Sequence, residues 1–205
     1  MYHLYTLLVR PKYNINFVKA IHSSFKANMK FPFEHTCITD NISQFKGENF
    51  CNLIDISHHN LPTFWNKLLF FKNDEICKKD QKCIFFDLDA KILNDITPML
   101  QHDNYLTLGL NPSKLNDIYI SKAINTPEHG RHLTIVNSSC MMWIGGQHQK
   151  LWDTFNADRE NNILYYYGND EFITFNYGSN YRLIDSKWIF WHGSEKTAIY
   201  SNKIK

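Results

Sequence analysis

The spacing of apolar residues changes within the first thirty positions of the chain. The segment from Tyr2 to Val9 is rich in aromatic and branched residues, and this composition predicts a β-strand. Apolar residues then recur every four positions, which predicts a helix ending near Met29 with Asn14 as its N-cap. The apolar stripe of this helix is expected to comprise Phe17, Ile21, Phe25 and Met29.

Three further apolar runs predict strands up to residue 90. They are His35 to Thr39, Phe50 to Ile56 and Lys82 to Phe86, and a short helix is expected after Pro62. The last run is continuously apolar, as in a strand buried on both faces. Strands that alternate with helices are typical of an α/β fold with a mostly parallel central sheet and helices on both faces.

The second half of the chain is less regular. Asn137-Ser138-Ser139 interrupts one long apolar run, and Gly168 precedes a short helix. No repeat or linker divides the sequence, which predicts one domain over 1–205. The expected elements are strands at Tyr105 to Leu110, Leu133 to Ile144, Tyr181 to Ile184 and Trp188 to Trp191, and a helix at Gln147 to Asn156.

Composition narrows the function classes. Hydrophobic residues make up 43% of the 205 positions, which is enough for a core, and the net charge is only +2 without a basic stripe. This balance argues against a nucleic-acid partner. The odd number of dispersed cysteines, 5, fits a reducing compartment. The sequence has no signal peptide and no run long enough to span a bilayer, so we expect a soluble, cytoplasmic protein. Additional domains or membrane-associated partners are compatible with this sequence.

The feature with the clearest chemistry is the segment CIFFDLDAKIL, residues 83–93. In an open parallel sheet, ligands bind beyond the carboxyl ends of the strands. Asp87 and Asp89 follow the apolar tetrad Cys83 to Phe86, so both carboxylates can reach one hard cation, Mn²⁺ or Mg²⁺. Such a cation would stabilise the charge that develops on a diphosphate leaving group.

Several segments, in this order, resemble the GT-A-fold glycosyltransferases that use nucleotide-diphosphate sugars, particularly bacterial and viral members. The segments are PKYN around Tyr13, Thr39-Asp40, WNKLLFF at 65–71, IFFDLD at 84–89, NSSCMMWIGG at 137–146, GNDEFIT at 168–174 and FWHGSEK at 190–196. The resemblance implies a metal-dependent, hexosyltransferase-like enzyme that moves a sugar from a UDP- or GDP-sugar to a glycan or glycoprotein acceptor. It further implies a nucleotide-binding half at about 1–90 and a sugar and acceptor half at about 91–205.

The resemblance also implies individual roles. Thr6, Tyr13 and Asp40 would contact the nucleoside, and Lys67 the phosphates or the donor sugar. Asp87 would serve both sugar and metal. The metal would also be held by Asp89 and His192, the diphosphate by Lys196, and the sugar pocket would be lined by Asn137 and Ser138, near Asn169 and Asp170.

The candidate catalytic residues are Asn169 and Asp170. Relatives often have Asp-Gln where this chain has Asn169-Asp170, and the C-terminal segment is shorter than the H-x-x-G-x-x-K pattern of the family. Asp170 suits a general base or a stabiliser of positive charge on the sugar. The alternative role of Asp170 is to cap the helix that follows Gly168.

Other interpretations remain open at the level of sequence. The segment FFDLDAKI also resembles the first motif of haloacid-dehalogenase-type phosphohydrolases, in which an Asp is the nucleophile. A non-catalytic sugar-nucleotide-binding module is a third possibility. His58-His59 and the pair His129/His132 could suggest zinc, but no Cys or carboxylate partner stands at finger-like spacing, which favours loop histidines. The run Tyr165 to Tyr167 is interpreted as a sheet-packing segment.

Overall fold

A seven-stranded sheet lies at the centre of the computed structural model, which describes residues 1–100, 102–110, 134–192 and 197–200. The strands are β1 (Tyr2–Leu8), β2 (Phe33–Thr39), β3 (Asn52–Asp55), β4 (Lys82–Phe86), β5 (Lys91–Ile92), β6 (Leu106–Leu110), β7 (Val136–Ile144), β8 (Tyr181–Leu183), β9 (Ile189–His192) and β10 (Thr197–Tyr200). The strand order in the central sheet is β3-β2-β1-β4-β7-β6-β8. A second sheet has the order β5-β10-β9.

In the described part of the chain, three of the four α-helices and a 3-10 helix lie where the sequence predicts helices, and the helix at Arg159–Tyr165 was not predicted. The helices are α1 (Ile15–Asn28), α2 (Gln149–Ala157), α3 (Arg159–Tyr165) and α4 (Asn169–Tyr177), together with the 3-10 helix at Thr63–Phe71. Asn14 caps α1 as expected, because its side chain accepts the N–H of Asn16. Among the described residues, no helix combines the length and the apolar character needed to span a bilayer.

The parallel pairing in the first half of the chain determines which edge of the sheet is expected to bind ligands. β1 pairs in parallel with β2 and with β4, and β2 pairs in parallel with β3. β4 has four consecutive fully buried residues, Cys83 to Phe86, and it occupies the middle of the sheet. Its carboxyl end therefore lies between elements of both halves of the chain.

Helices cover both faces of the sheet, which confirms the predicted α/β fold class. On one face, Ile21 and Phe25 of α1 pack in a cluster with Leu4, Ile84 and Phe86. The other face buries residues of the 3-10 helix, α2 and α4 in one larger cluster with Tyr5, Phe85 and Trp143. The core is thus divided by the sheet into two layers.

One residue of the predicted apolar stripe of α1, Phe17, does not lie on the buried face of the helix. Phe17 is 40% exposed, whereas Val18, Ile21 and Phe25 are buried. A strict four-residue repeat advances about 40° per step around a helix with 3.6 residues per turn, so its first member leaves the buried face. Val18, three residues before Ile21, takes its place.

The sheet becomes mixed in the second half of the chain. β7 runs antiparallel to both β4 and β6, and β8 runs parallel to β6. The β6–β7 register jumps between Leu108, opposite Met141, and Gly109, opposite Asn137, so three residues of β7 lie within a bulge. A Cβ at Gly109 would approach the carbonyl oxygen of Asn137 to 2.6 Å, and only glycine allows this close approach.

The interpretation of Tyr165 to Tyr167 as a sheet-packing segment is wrong. Tyr165 ends α3, and the next two residues lie in the connection to α4. Tyr166 packs against the core, whereas Tyr165 and Tyr167 are exposed. Aromatic content is a weak guide to strands because it mainly reflects burial on a pleated surface, and this segment lacks that setting.

Candidate functional site

Two carboxylates occupy the turn that follows the central strand β4. The Asp87 N–H donates to the Ser139 carbonyl at 2.8 Å, and the Ala90 N–H donates to the Asp87 carbonyl at 3.0 Å. These bonds close a turn in which Leu88 is buried, while Asp87 and Asp89 remain partly exposed. Alternation along the turn therefore directs both carboxylates out of the core.

Asp87 is paired with a buried lysine. Lys67 Nζ lies 2.7 Å from Asp87 Oδ1, and the Lys67 side chain is only 7% exposed. The same ammonium donates to the Ser138 carbonyl at 3.2 Å and to Ser138 Oγ at 3.1 Å. Lys67 belongs to the 3-10 helix, so this bond network fixes the helix against β7 and the end of β4.

The surroundings of Asp87 favour added positive charge. Burial raises the pKa of Asp87, Lys67 lowers it, and the nearby carboxylates Asp89 and Asp170 raise it further, with a net upward shift. The carboxylates of Asp89 and Asp170 therefore oppose the effect of Lys67 on the ionised form of Asp87.

Asp89 has more exposed partners. The Tyr13 hydroxyl donates to Asp89 Oδ2, and Lys12 Nζ lies 3.3 Å from the same oxygen. Burial raises the pKa of Tyr13, and its hydrogen bond to Asp89 raises it further, so the phenol stays protonated as a donor. The Lys12 side chain is 70% exposed and extends from the loop between β1 and α1.

The bulge of β7 brings polar groups to the same place. The Ser138 N–H donates to Asp170 Oδ1 at 3.0 Å, and Asn169 Nδ2 donates to Ser138 Oγ at 2.8 Å. Asn137 Oδ1 accepts the Ser139 N–H at 2.9 Å, which holds the bulge in shape. The polar segment Asn137-Ser138-Ser139, which interrupts an apolar run in the sequence, therefore links the end of β4 to the first turn of α4 through hydrogen bonds.

The structure separates Asp170 from a conventional capping role. The N-cap position of α4 is Gly168, which has no capping side chain, and Asp170 lies in the first turn with Oδ1 on β7. Glu171 instead accepts the Tyr167 N–H at 2.9 Å, just before the helix. Asp170 is therefore not the N-cap residue of α4, and it joins the first turn of this helix to β7.

Two adjoining cavities open above this group. A cavity of about 270 Å³ is lined by Tyr13, Lys67, Asp87, Asn137, Ser138, Asn169 and Asp170. A second cavity, of about 820 Å³, is lined by Asp40 together with Ile56, Leu61 and Asn66. Three residues line both cavities, which therefore form one continuous cleft: Val9, Arg10 and Thr63.

Asp40 marks the wall of the larger cavity. Its Oδ2 lies 3.7 Å from Arg10 Nε and accepts the Arg10 N–H at 3.4 Å. Its Oδ1 is buried and has no partner among the described residues. The Asp40 side chain is 30% exposed, so its carboxylate combines one buried, unpartnered oxygen with a part that reaches the surface of this wall.

One predicted site residue lies away from the cleft. Thr6 is fully buried within the sheet, and its Oγ1 lies 2.9 Å from His35 Nε2. His35 Nδ1 in turn faces His22 Nδ1 of α1 at 3.1 Å, and burial lowers the pKa of His35 to about 3. The structure does not bring Thr6 to the cleft because even positions of β1 face α1.

The C-terminal candidates are described only in part. His192 is the last residue of β9, and its side chain lies outside the described part of the structure. Lys196 and the pair His129/His132 also lie outside the described residues. In the part that is described, Asp87 and Asp89 have no third His, Cys or carboxylate ligand at metal-binding distance.

Several cleft residues were not anticipated from the sequence. Arg10, Thr63 and Phe64 line the cavities, and Lys12 contacts Asp89. Their sequence signals are weak, because each is a single residue in a loop or at a helix start. In the sequence, only their neighbours Tyr13 and Lys67 indicated that the loop after β1 and the 3-10 helix contribute to the site.

Several solved structures resemble this fold over most of the chain. An active-site mutant of LgtC matches with a TM-score of 0.63 at 13% identity, over 91% of this chain and 74% of that chain. The galactosyltransferase LgtC in complex with donor and acceptor sugar analogues matches with a TM-score of 0.62 at 11% identity, over the same shares. The glycosyltransferase GlyE of Streptococcus pneumoniae matches with a TM-score of 0.57 at 14% identity, over 92% of this chain.

These likenesses confirm the predicted GT-A fold of the chain. The chain spans 46% of GlyE and 74% of LgtC. No protein-family model and no curated protein sequence matches it. The identities are low, so the chemistry has to be argued from the cleft itself.

Proposed function

We propose that this protein is a glycosyltransferase that moves a hexose-type sugar from a nucleotide-diphosphate donor to a glycan or glycoprotein acceptor. The observation that carries the proposal is the meeting of Asp87, Asp89, Lys67 and the β7 bulge at the carboxyl edge of β4. In open α/β sheets this edge is where ligands bind. The fold, shared with LgtC and GlyE, supports the same conclusion.

A divalent cation, Mn²⁺ or Mg²⁺, fits the turn after β4. Asp87 and Asp89 offer oxygen ligands of the kind that hard cations prefer. Burial and, to a smaller extent, two nearby carboxylates raise the pKa of Asp87, which agrees with a site that gains from added positive charge. His192 is the proposed third ligand. The bound cation would supply Lewis-acid stabilisation of the departing diphosphate.

The protein's own residues would orient the donor. Lys67 is held by Ser138 and Asp87 and lines the smaller cavity, so its positive charge is fixed where it can attract a phosphate of the donor. Lys196 would add a second cation. Asn137 and Ser138 would contact the sugar hydroxyls, and Tyr13 would lie beside the nucleoside.

The larger cavity suits the nucleoside. Its apolar wall and the partly exposed carboxylate of Asp40 combine a surface for a base with an acceptor for a ribose or base N–H or O–H group. We assign residues 1–90 to nucleotide binding and residues 91–205 to sugar and acceptor. A UDP- or GDP-sugar is the expected donor.

Asp170 and Asn169 are the proposed catalytic residues. Asp170 lines the smaller cavity, and its Oδ1 is held by the Ser138 N–H, which fixes the position of the carboxylate there. This carboxylate can accept the proton of an acceptor hydroxyl or stabilise positive charge on the sugar. Asn169 fixes Ser138, which also holds Lys67, so it acts by positioning.

Nucleoside diphosphate release from a panel of UDP- and GDP-sugars with Mn²⁺ tests the proposal. A transferase releases the diphosphate slowly without acceptor and faster with one. A phosphohydrolase would instead release phosphate from p-nitrophenyl phosphate, and a binding module would do neither. Release of phosphate from the simple ester without any turnover of nucleotide sugars would contradict the proposal.

A further inference from the structure

The histidine pair His58-His59 acquires a carboxylate partner in the folded chain. His58 Nε2 lies 3.6 Å from Glu75 Oε1, and His59 Nε2 contacts the same oxygen. The three ligand atoms all lie within 4.8 Å of one another. The sequence did not predict this cluster, because Glu75 does not stand at zinc-finger spacing from the two histidines. Glu75 follows the 3-10 helix, and only the fold brings it next to the pair.

We propose that His58, His59 and Glu75 form a zinc site separate from the donor cleft. Two imidazole nitrogens and one carboxylate are a common three-ligand set for Zn²⁺, with water in the fourth position. Tetrahedral ligands at zinc distances are about 3.4 Å apart, close to the His58–Glu75 separation. The His59–Glu75 contact would open to admit the ion.

The residues around the cluster hold the ligands in place. Lys72 Nζ contacts Glu75 Oε2, which leaves Oε1 directed at the imidazoles. Arg159 donates to the His59 carbonyl at 3.4 Å, and the His59 ring lies edge-on to Trp152. Ligating carboxylates are usually hydrogen-bonded by a further residue in this way. Lys72 and Arg159 are positive, so zinc affinity is expected to be moderate.

The ligand chemistry distinguishes this cluster from the Asp87–Asp89 turn. Imidazole nitrogen favours Zn²⁺ over Mn²⁺ or Mg²⁺, which prefer carboxylate oxygens. Zinc here would join the turn at Ser57–His59 to the segment after the 3-10 helix. Since Ser57 and Asn60 line the larger cavity, a bound ion would brace that wall.

Zinc titration of the reduced full-length chain, in competition with a chromophoric chelator, tests the proposal. We expect one equivalent bound with micromolar or tighter affinity, and a loss of at least tenfold in His58→Ala. The His58 side chain is 66% exposed, so this variant should fold normally. Glu75→Gln should weaken zinc similarly. His3→Ala is the matched control, because His3 also faces a carboxylate, Glu34 at 3.3 Å, but without a second histidine.

Two further measurements decide the outcome. X-ray absorption of the zinc complex should show only nitrogen and oxygen ligands, including imidazole, and saturating zinc should raise the Tm of the native chain but not of His58→Ala. Unchanged zinc affinity in His58→Ala, or sulfur ligands in the spectrum, would overturn the proposal. Manganese-dependent turnover of the donor should be the same in His58→Ala, so failure of the zinc site leaves the proposed transferase activity intact.

Discussion

The two sides of the Asp87–Asp89 turn differ in how their positive partners are held. Lys67, beside Asp87, is 7% exposed and bonded to both the carbonyl and the hydroxyl of Ser138. Lys12, beside Asp89, is 70% exposed. One lysine is part of the core, and the other is a surface side chain.

This difference indicates distinct tasks for two carboxylates that are only one residue apart. Exposed ion pairs contribute about 0 to 1 kcal/mol, so Asp89 can exchange Lys12 for a cation at little cost. Removing one member of a buried pair leaves an uncompensated charge and costs more. We therefore expect Asp87 to keep its lysine during the reaction and Asp89 to change partners.

Lys67→Met should have the largest effect. It removes the cation that faces Asp87 and detaches the 3-10 helix from Ser138, so donor turnover should fall about a thousandfold, roughly 4 kcal/mol of barrier. The free energy of unfolding should fall by about 2 kcal/mol, less than for a fully buried pair because Asp87 is 30% exposed. Turnover assays and urea unfolding measure the two effects.

Lys12→Met is the matched control for Lys67→Met, since both lysines face a carboxylate of the same turn. If the two variants lose turnover equally, the distinction between a buried and an exposed partner is wrong.

Asp89→Asn should weaken manganese binding about a hundredfold, roughly 2.7 kcal/mol, with little change in stability of the metal-free protein. The reason is that Asp89 is 38% exposed, its ion pair with Lys12 lies on the surface, and an asparagine oxygen can still accept the Tyr13 hydroxyl. Calorimetric titration with Mn²⁺ measures the affinity. Asp103→Asn, in a carboxylate of similar exposure paired with Arg182, should bind manganese normally. Undiminished donor affinity in excess EDTA would argue against the metal.

Asp170→Asn should lower the transfer rate at least tenfold, about 1.4 kcal/mol. The asparagine oxygen can still accept the Ser138 N–H, so the bulge keeps its shape while the base is lost. The measurement is kcat with a saturating acceptor. Glu171→Gln, one residue further along α4, should retain its rate, and a rate within tenfold in Asp170→Asn would place the catalytic group elsewhere.

Lys12→Ala should have the smallest effect and the opposite sign for metal binding. Removing a competing cation from Asp89 should tighten Mn²⁺ binding by up to about fivefold, within the 1 kcal/mol expected for an exposed pair. The same calorimetric titration measures it. A weaker manganese affinity would mean that Lys12 supports the site rather than competing with the ion.

The framework of the fold was predictable because local pattern and burial agree there. β4 was predicted with its observed bounds, and α1 with its cap, since a continuous apolar run and an Asn before an amphipathic segment are strong signals. Boundaries elsewhere moved by one to three residues. β5 and β10 were not predicted, because two short strands carry too little periodicity to be recognised.

The candidate site was predictable only where residues lie next to a strand end. Asp87 and Asp89 were found from the apolar tetrad before them, and Asn137 with Ser138 from an interruption in an apolar run. Glu75 beside His58, and Lys12 beside Asp89, depend on contacts between distant segments. Thr6 was expected at the nucleoside but is buried away from the cleft, because the orientation of β1 in the sheet decides which face each of its residues occupies.

The charges around the turn after β4 have a kinetic consequence. Among the described residues, the carboxylates of Asp87, Asp89 and Asp170 outnumber the cations of Lys12 and Lys67 by one, and the charges of Arg10 and Asp40 cancel as a pair. A diphosphate arriving alone would meet this excess and be repelled, whereas a divalent ion would reverse its sign. We therefore expect a compulsory order of addition, with the cation first and the donor second, and nucleotide alone should be a poor inhibitor until metal is present.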